Sequence, residues 1–64
     1  MIIELERADN MPLMLNFNHV ILLEPTSDLH APIRIYCTEG KTFEIKNSYD
    51  QVKEKCRRAG GQHI

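Results

Sequence analysis

Residues 33–46 read Ile33-Arg34-Ile35-Tyr36-Cys37-Thr38-Glu39-Gly40-Lys41-Thr42-Phe43-Glu44-Ile45-Lys46, two runs of alternating apolar and polar side chains around a single glycine. Alternation with a period of two marks strands with one buried face, and a glycine between two such runs marks a hairpin. Two registers compete. A two-residue loop at Glu39-Gly40 sets Tyr36 opposite Phe43 and Ile35 opposite Glu44, which puts the apolar rows of the two strands on opposite faces. A three-residue loop, Thr38-Glu39-Gly40, sets Ile35 opposite Phe43 and Ile33 opposite Ile45, and pairs Arg34 with Glu44 on the polar face. It also asks Gly40 to enter the left-handed region, where a residue without Cβ meets no clash. The three-residue loop with a bulge is the expected connection.

Downstream of the hairpin, Ser48-Tyr49-Asp50-Gln51 fits a capping box, with Ser48 as N-cap and Gln51 three residues later. Asp50 falls in the first turn, and Lys55, Arg57 and Arg58 fall towards the end, as the helix dipole favours. Tyr49, Val52, Cys56 and Ala59 share one stripe at helical spacing. The pattern predicts a helix over about 48–59, closed by Gly60 in a left-handed cap, and a flexible tail over 60–64.

Upstream, Ile3 and Leu5 alternate with Glu4 and Glu6 in a strand over residues 2–8, and Asp9-Asn10-Met11-Pro12 reads as a turn. Leu13-Met14-Leu15 resumes as a second strand, and Asn16-Phe17-Asn18-His19 interrupts it. Val20-Ile21-Leu22-Leu23 is a third, apolar on both faces. Such a strand is expected either to be fully buried or to pair with another subunit, which makes Val20 and Leu22 candidates for self-association. Glu24 to Pro32 forms a long loop bounded by Pro25 and Pro32. The expected core is Ile3, Leu5, Leu13, Leu15, Ile21, Leu23, Ile33, Ile35, Phe43, Ile45, Val52 and Cys56.

The chain has 64 residues, one domain near the lower limit for independent folding. A core of this size supplies only about 3–5 kcal/mol, so a staple is expected. The two cysteines, Cys37 and Cys56, form no CxxC pair, and Met1-Ile2-Ile3-Glu4 runs straight into strand pattern rather than into a secretory leader. Free thiols in a reducing cytoplasm are the expectation, which leaves a homo-oligomer as the staple. The formal charge is −1, from eight basic and nine acidic side chains, so a spread-out attraction to nucleic acid is not expected. No apolar run is long enough to span a membrane.

Residues that could carry chemistry are few. His19, His30 and His63 fall in turns, loop or tail, with no metal-ligand spacing among them. Asp28 and His30 would need another subunit to complete a metal site. Cys37 and His19 lack an orienting acid or a glycine-rich oxyanion segment beside them. Glu4, Glu6, Glu44 and Glu54 fall on polar faces, where solvated surface is the default. No catalytic residue, metal ligand or cofactor is therefore expected, and the chain reads as no enzyme. The strongest feature is the basic end of the helix, Lys53, Lys55, Arg57 and Arg58, either a solvated terminus matched to the dipole or a surface for an acidic partner or phosphate backbone. Tyr36, the large aromatic on the polar side of the hairpin, packs either under the helix or against a partner.

The motif order resembles that of the FlbD family of small bacterial flagellar and swarming-motility proteins. It comprises Ile3-Glu4-Leu5, the turn ending at Pro12, Leu15-Asn16, Val20-Ile21, Leu23-Glu24, a Pro-Thr loop, Ile33-Arg34-Ile35, Glu39-Gly40-Lys41 and a final helix from Ser48 through Val52 and Lys55. The resemblance spans residues 2–56. The chain differs from the family pattern at Met11, where that family tends to have glycine, and in the added Leu29-His30-Ala31-Pro32. The resemblance implies a non-enzymatic accessory of flagellar assembly or motor output, without a cofactor. Asn16 to Val52 is also similar to the C-terminal part of LytTR DNA-binding domains, which would imply a small DNA-binding regulator. A third class is an oligomeric inhibitor or ligand-sequestering protein from a mobile element.

The expected fold is α+β: a small antiparallel sheet of four to five strands within residues 2–46, curled and barrel-like, with one C-terminal α-helix packed on it or on an edge. The expected role is a small cytoplasmic protein-interaction module with a protein partner.

Overall fold

A computed structural model describes residues 1–60; of the tail expected at 60–64, residues 61–64, with His63, lie outside the described residues. Five strands, β1 (Ile2–Glu6), β2 (Pro12–Asn16), β3 (Val20–Pro25), β4 (Ile33–Cys37) and β5 (Thr42–Ile45), precede one helix, α1 (Tyr49–Ala59). The class is α+β, with antiparallel sheets β1-β2 and β3-β4-β5.

The β4-β5 hairpin takes the register that buries both apolar rows: Ile33 faces Ile45, Ile35 faces Phe43, and Arg34 faces Glu44. Its connection, Thr38–Gly40, combines features of both sequence readings. Glu39 and Gly40 both have positive φ, 65° and 74°, which is a tight two-residue turn. Yet the Cys37 N–H donates to the Lys41 carbonyl at 2.7 Å, so Cys37 and Thr38 together face Lys41. This is the bulge that keeps the apolar rows on one face. Glu39 was not expected in the left-handed region, which costs a residue with Cβ roughly 1–2 kcal/mol. Asn tolerates that region, and Asn-Gly is the preferred pair for two positive-φ positions. Glu39→Asn is therefore expected to stabilise the protein by about 0.5–1 kcal/mol and raise Tm by several degrees. A thermal melt with unchanged or lower Tm would contradict this account of the turn.

The β1-β2 hairpin solves the same problem with asparagine. The Asn10 N–H donates to the Arg7 carbonyl at 2.9 Å and the Arg7 N–H to the Met11 carbonyl at 2.8 Å. Asn10 itself sits at φ 71°, and the Asp9 carboxylate accepts from the Met11 N–H at 3.1 Å. The two sheets meet at one corner, where Arg7 bridges to Ile45. There the Ala8 N–H donates to Glu44 and the Lys46 N–H to Glu6, at 2.9 and 2.7 Å. The sheet curls but does not close into a barrel, since β2 and β3 are not paired with each other.

Ile33, Ile35 and Ile45 are fully buried and Val52 is 1% exposed; Ile3, Leu5, Leu15, Cys37 and Ala31 complete the buried set. Leu13, Phe17, Val20, Leu23, Phe43 and Cys56 pack half-buried around its rim. Two differences from the expected core have local causes. Register slips between Val20 and Leu22 on β3, and this bulge turns Val20 inward and leaves Ile21 66% exposed. Ile21 is therefore a surface residue, and β3 is an edge strand rather than a buried one. Ala31 is buried because the long loop folds on itself. The Thr26 N–H donates to Pro32 at 2.8 Å, and the Thr26 hydroxyl donates to Ala31 at 2.6 Å.

The helix begins as read. Ser48 accepts from the Gln51 N–H at 3.1 Å and its own N–H donates to the Gln51 side chain at 2.9 Å. It does not end as read: Gly60 has φ −77° and ψ −7°, a right-handed conformation. The Gly60 N–H donates to the Cys56 carbonyl at 2.9 Å, which extends the helical bonding pattern through it.

Candidate functional site

β3 presents two faces and one open edge. On the outer face Leu22 lies opposite Tyr36, and Glu24 opposite Arg34, with Glu44 across from Arg34 on the far side. The Tyr36 hydroxyl donates to the Glu24 carboxylate at 2.9 Å, and Arg34 to Glu44 at 3.1 Å. Tyr36 is thus half-buried on the outer face among charged groups. It does not lie under the helix. Leu22 stands in the same row, 47% exposed, beside the 66% exposed Ile21.

On the inner face the helix packs mainly on β1, leaving its other flank open towards β3. A groove lies there, lined by Leu23, Tyr49, Val52, Lys53, Cys56 and Arg57. Of the helix stripe only Val52 is buried; Tyr49 is 44% exposed, and Cys56 is half-buried, with burial pushing its thiol above the ordinary range. Ile21 and this groove were not legible in the sequence, because a bulge leaves no mark in the alternation. The one signal was the unused breadth of the helix stripe, Tyr49 and Cys56.

The basic end of the helix is largely engaged within the helix. Glu54 accepts from Arg57 at 2.5 Å and from Arg58 at 3.0 Å, and the Lys53 ammonium sits 5.7 Å from the Tyr49 ring centre. Lys55 is on another side, near Glu4 and Glu6. The four cations therefore do not form one patch. Arg57 and then Arg58 hold the Glu54 carboxyl below its usual range. A carboxyl depressed in the folded state contributes stability above its unfolded pKa, and that contribution is lost as pH falls through the folded value. Tm is expected to fall more steeply with pH below about pH 4, and Glu54→Gln should remove that part of the fall. Superimposable acid titrations of the two proteins at low salt would exclude this role for Glu54.

The remaining candidates are dispersed. His19 and Cys37 line one opening, between β2 and the hairpin tip, but the Cys37 side chain is buried and no hydrogen bond joins the two among the described residues. The Asp28 carboxylate accepts the backbone N–H of His30 at 2.8 Å, closing a turn. Among the described residues no group of three or more His, Cys, Asp and Glu side chains is placed to hold a metal. No described helix is long and apolar enough to cross a membrane. A scan against models of known families, and searches of curated proteins and of solved structures, find no match to this chain.

Proposed function

We propose that this chain is a small non-enzymatic protein-interaction module that self-associates, and that it serves in the cytoplasm as an accessory of flagellar assembly or motor output. The observation that carries the interaction reading is the group of exposed apolar side chains around β3. Ile21 and Leu22 are exposed on the strand, and Leu23, Tyr49 and Cys56 line the groove beside the helix. Apolar side chains gathered on both sides of an open edge suit a protein partner better than solvent. The flagellar part rests on the motif order of residues 2–56.

A DNA-binding reading is less favoured. Glu54 takes up Arg57 and Arg58, and Lys55 is directed elsewhere, which leaves few cations to displace counterions from a phosphate backbone. The test is genetic. Deleting the coding sequence in the host bacterium is expected to shrink swimming or swarming spread, with recovery by the wild-type chain and not by Tyr49→Asp. Undiminished spread would refute the flagellar part, and full rescue by Tyr49→Asp would refute the role of the groove.

A further inference from the structure

The backbone of β3 determines which of its groups face outwards. The Thr26 N–H donates to the Pro32 carbonyl at 2.8 Å, and this contact continues the register in which Glu24 faces Arg34 and Leu22 faces Tyr36. Opposed residues in an antiparallel ladder alternate between exchanging hydrogen bonds and not. Thr26, Glu24 and Leu22 therefore bond towards β4, while Leu23 and Pro25 turn their backbone groups away from it. Proline fits that phase, because it has no N–H to lose on the outward side. The N–H and C=O of Leu23 are left on an open edge, with Ile21 and Leu22 exposed beside them.

The geometry points to a twofold dimer in which β3 pairs antiparallel with β3 of a second copy, centred on Leu23, so that two three-stranded sheets become one of six strands. The inference rests on the reading of this chain as an interaction module and names the partner. In this register each Leu23 N–H donates to the Leu23 carbonyl of the other copy, and the two Leu23 side chains meet on the inner face. On the outer face each Leu22 comes beside Glu24 of the other copy.

Several observations favour a second copy over a foreign strand. An edge whose central residue offers one donor and one acceptor is complementary to itself across a twofold axis. The chain carries a formal charge of only −1, so two copies repel little. A dimer of standard size removes about 800 Å² from each partner, less than a fifth of the 4507 Å² exposed here. The strip from Ile21 and Leu22 across the edge to Leu23, Cys56 and Tyr49 lies where that area would be taken. The other open edge, on β2, faces the β4-β5 hairpin tip across an opening lined by Leu13, Met14, Thr38 and Lys41.

The test uses molar mass by light scattering across micromolar to millimolar concentration, on the wild type, Leu22→Glu, Leu22→Lys and the double variant Leu22→Glu/Glu24→Lys. The wild type is expected to be a dimer. Leu22→Glu sets like charges opposite each other twice and should weaken the dimer at least about tenfold. Leu22→Lys should leave it intact or tighten it, and the double variant should restore it. Since Leu22→Glu could also disturb folding, amide exchange on the wild type gives an independent reading: Leu23 N–H protection should rise with protein concentration. A wild-type monomer throughout, a dimer indifferent to the sign of charge at residue 22, or Leu23 exchange independent of concentration would each overturn the inference. A monomer would also sink the self-association proposed above, whereas a dimer indifferent to charge at residue 22 would sink only the β3 pairing; neither outcome bears on the motility assay.

Discussion

Shortening Ile45 to alanine is expected to leave most of the protein unfolded at 25 °C. Ile45 has no exposed surface and lies where three parts of the chain converge. It faces Ile33 across the β4-β5 ladder and bridges to Arg7 at the corner joining the two sheets. Its side chain belongs to the same buried cluster as Val52 of the helix. Removing those carbons from a close-packed site forfeits about 2–5 kcal/mol, part transfer and part cavity. A core in a chain this short supplies only about 3–5 kcal/mol in all, so the loss is comparable with the total. Ile45→Val, which removes one methyl, should cost about 0.5–1.5 kcal/mol and keep a cooperative but earlier melt. Met14→Ala, at a position 66% exposed, should stay within about 0.5 kcal/mol of wild type. Urea and thermal unfolding followed by circular dichroism separate the three. A cooperative Ile45→Ala transition near that of wild type would mean that the corner relaxes around the cavity and that the fold is held elsewhere.

The part of this architecture that could be read from residues is the part where one choice of register buries two rows and the alternative buries one. Ile33, Ile35, Phe43 and Ile45 settle β4 against β5 in that way, and the Ser48-Gln51 pair settles where the helix starts. The features that stayed hidden are those in which the backbone departs from its period. The β3 bulge exchanges Val20 and Ile21 between core and surface without altering the composition of the run. Glu39 accepts a left-handed conformation because the bulge at Thr38 requires a tighter turn than Gly40 alone would make. Ala31 is buried by hydrogen bonds made by Thr26, a contact between residues with no shared periodicity. The candidate surface suffered most from this, since it is built on the bulged strand. The basic helix end is a cluster in sequence, yet Glu54 between the cations divides it in space.

Val52→Asp should abolish the helix. Val52 is the one residue of α1 that is buried, so the helix docks on a narrow contact with its sheet. A carboxylate there would lie in the cluster of Ile3, Leu5, Ile33, Ile35 and Ile45. Among the hydrogen bonds of the described residues, none brings a side-chain donor into that cluster. Burying it unpaired costs about 3 kcal/mol or more beyond the packing lost with valine, so undocking is the cheaper course. An undocked α1 has 11 residues, below the roughly 12–15 at which isolated helices become marginal in water. Its capping box offsets only about 1 kcal/mol of that deficit. Helix and docking should therefore disappear together, and the exposed inner face of the sheet should follow. Ser48→Ala provides the graded comparison: it weakens the helix start by about 1 kcal/mol while leaving Val52 seated, so Tm should drop with the 222 nm signal intact at low temperature. A Val52→Asp protein that kept its 222 nm signal would show that the groove side of the helix, Tyr49 and Cys56 against Leu23, holds it in place. The strip assigned above to a partner would then already be occupied within the chain.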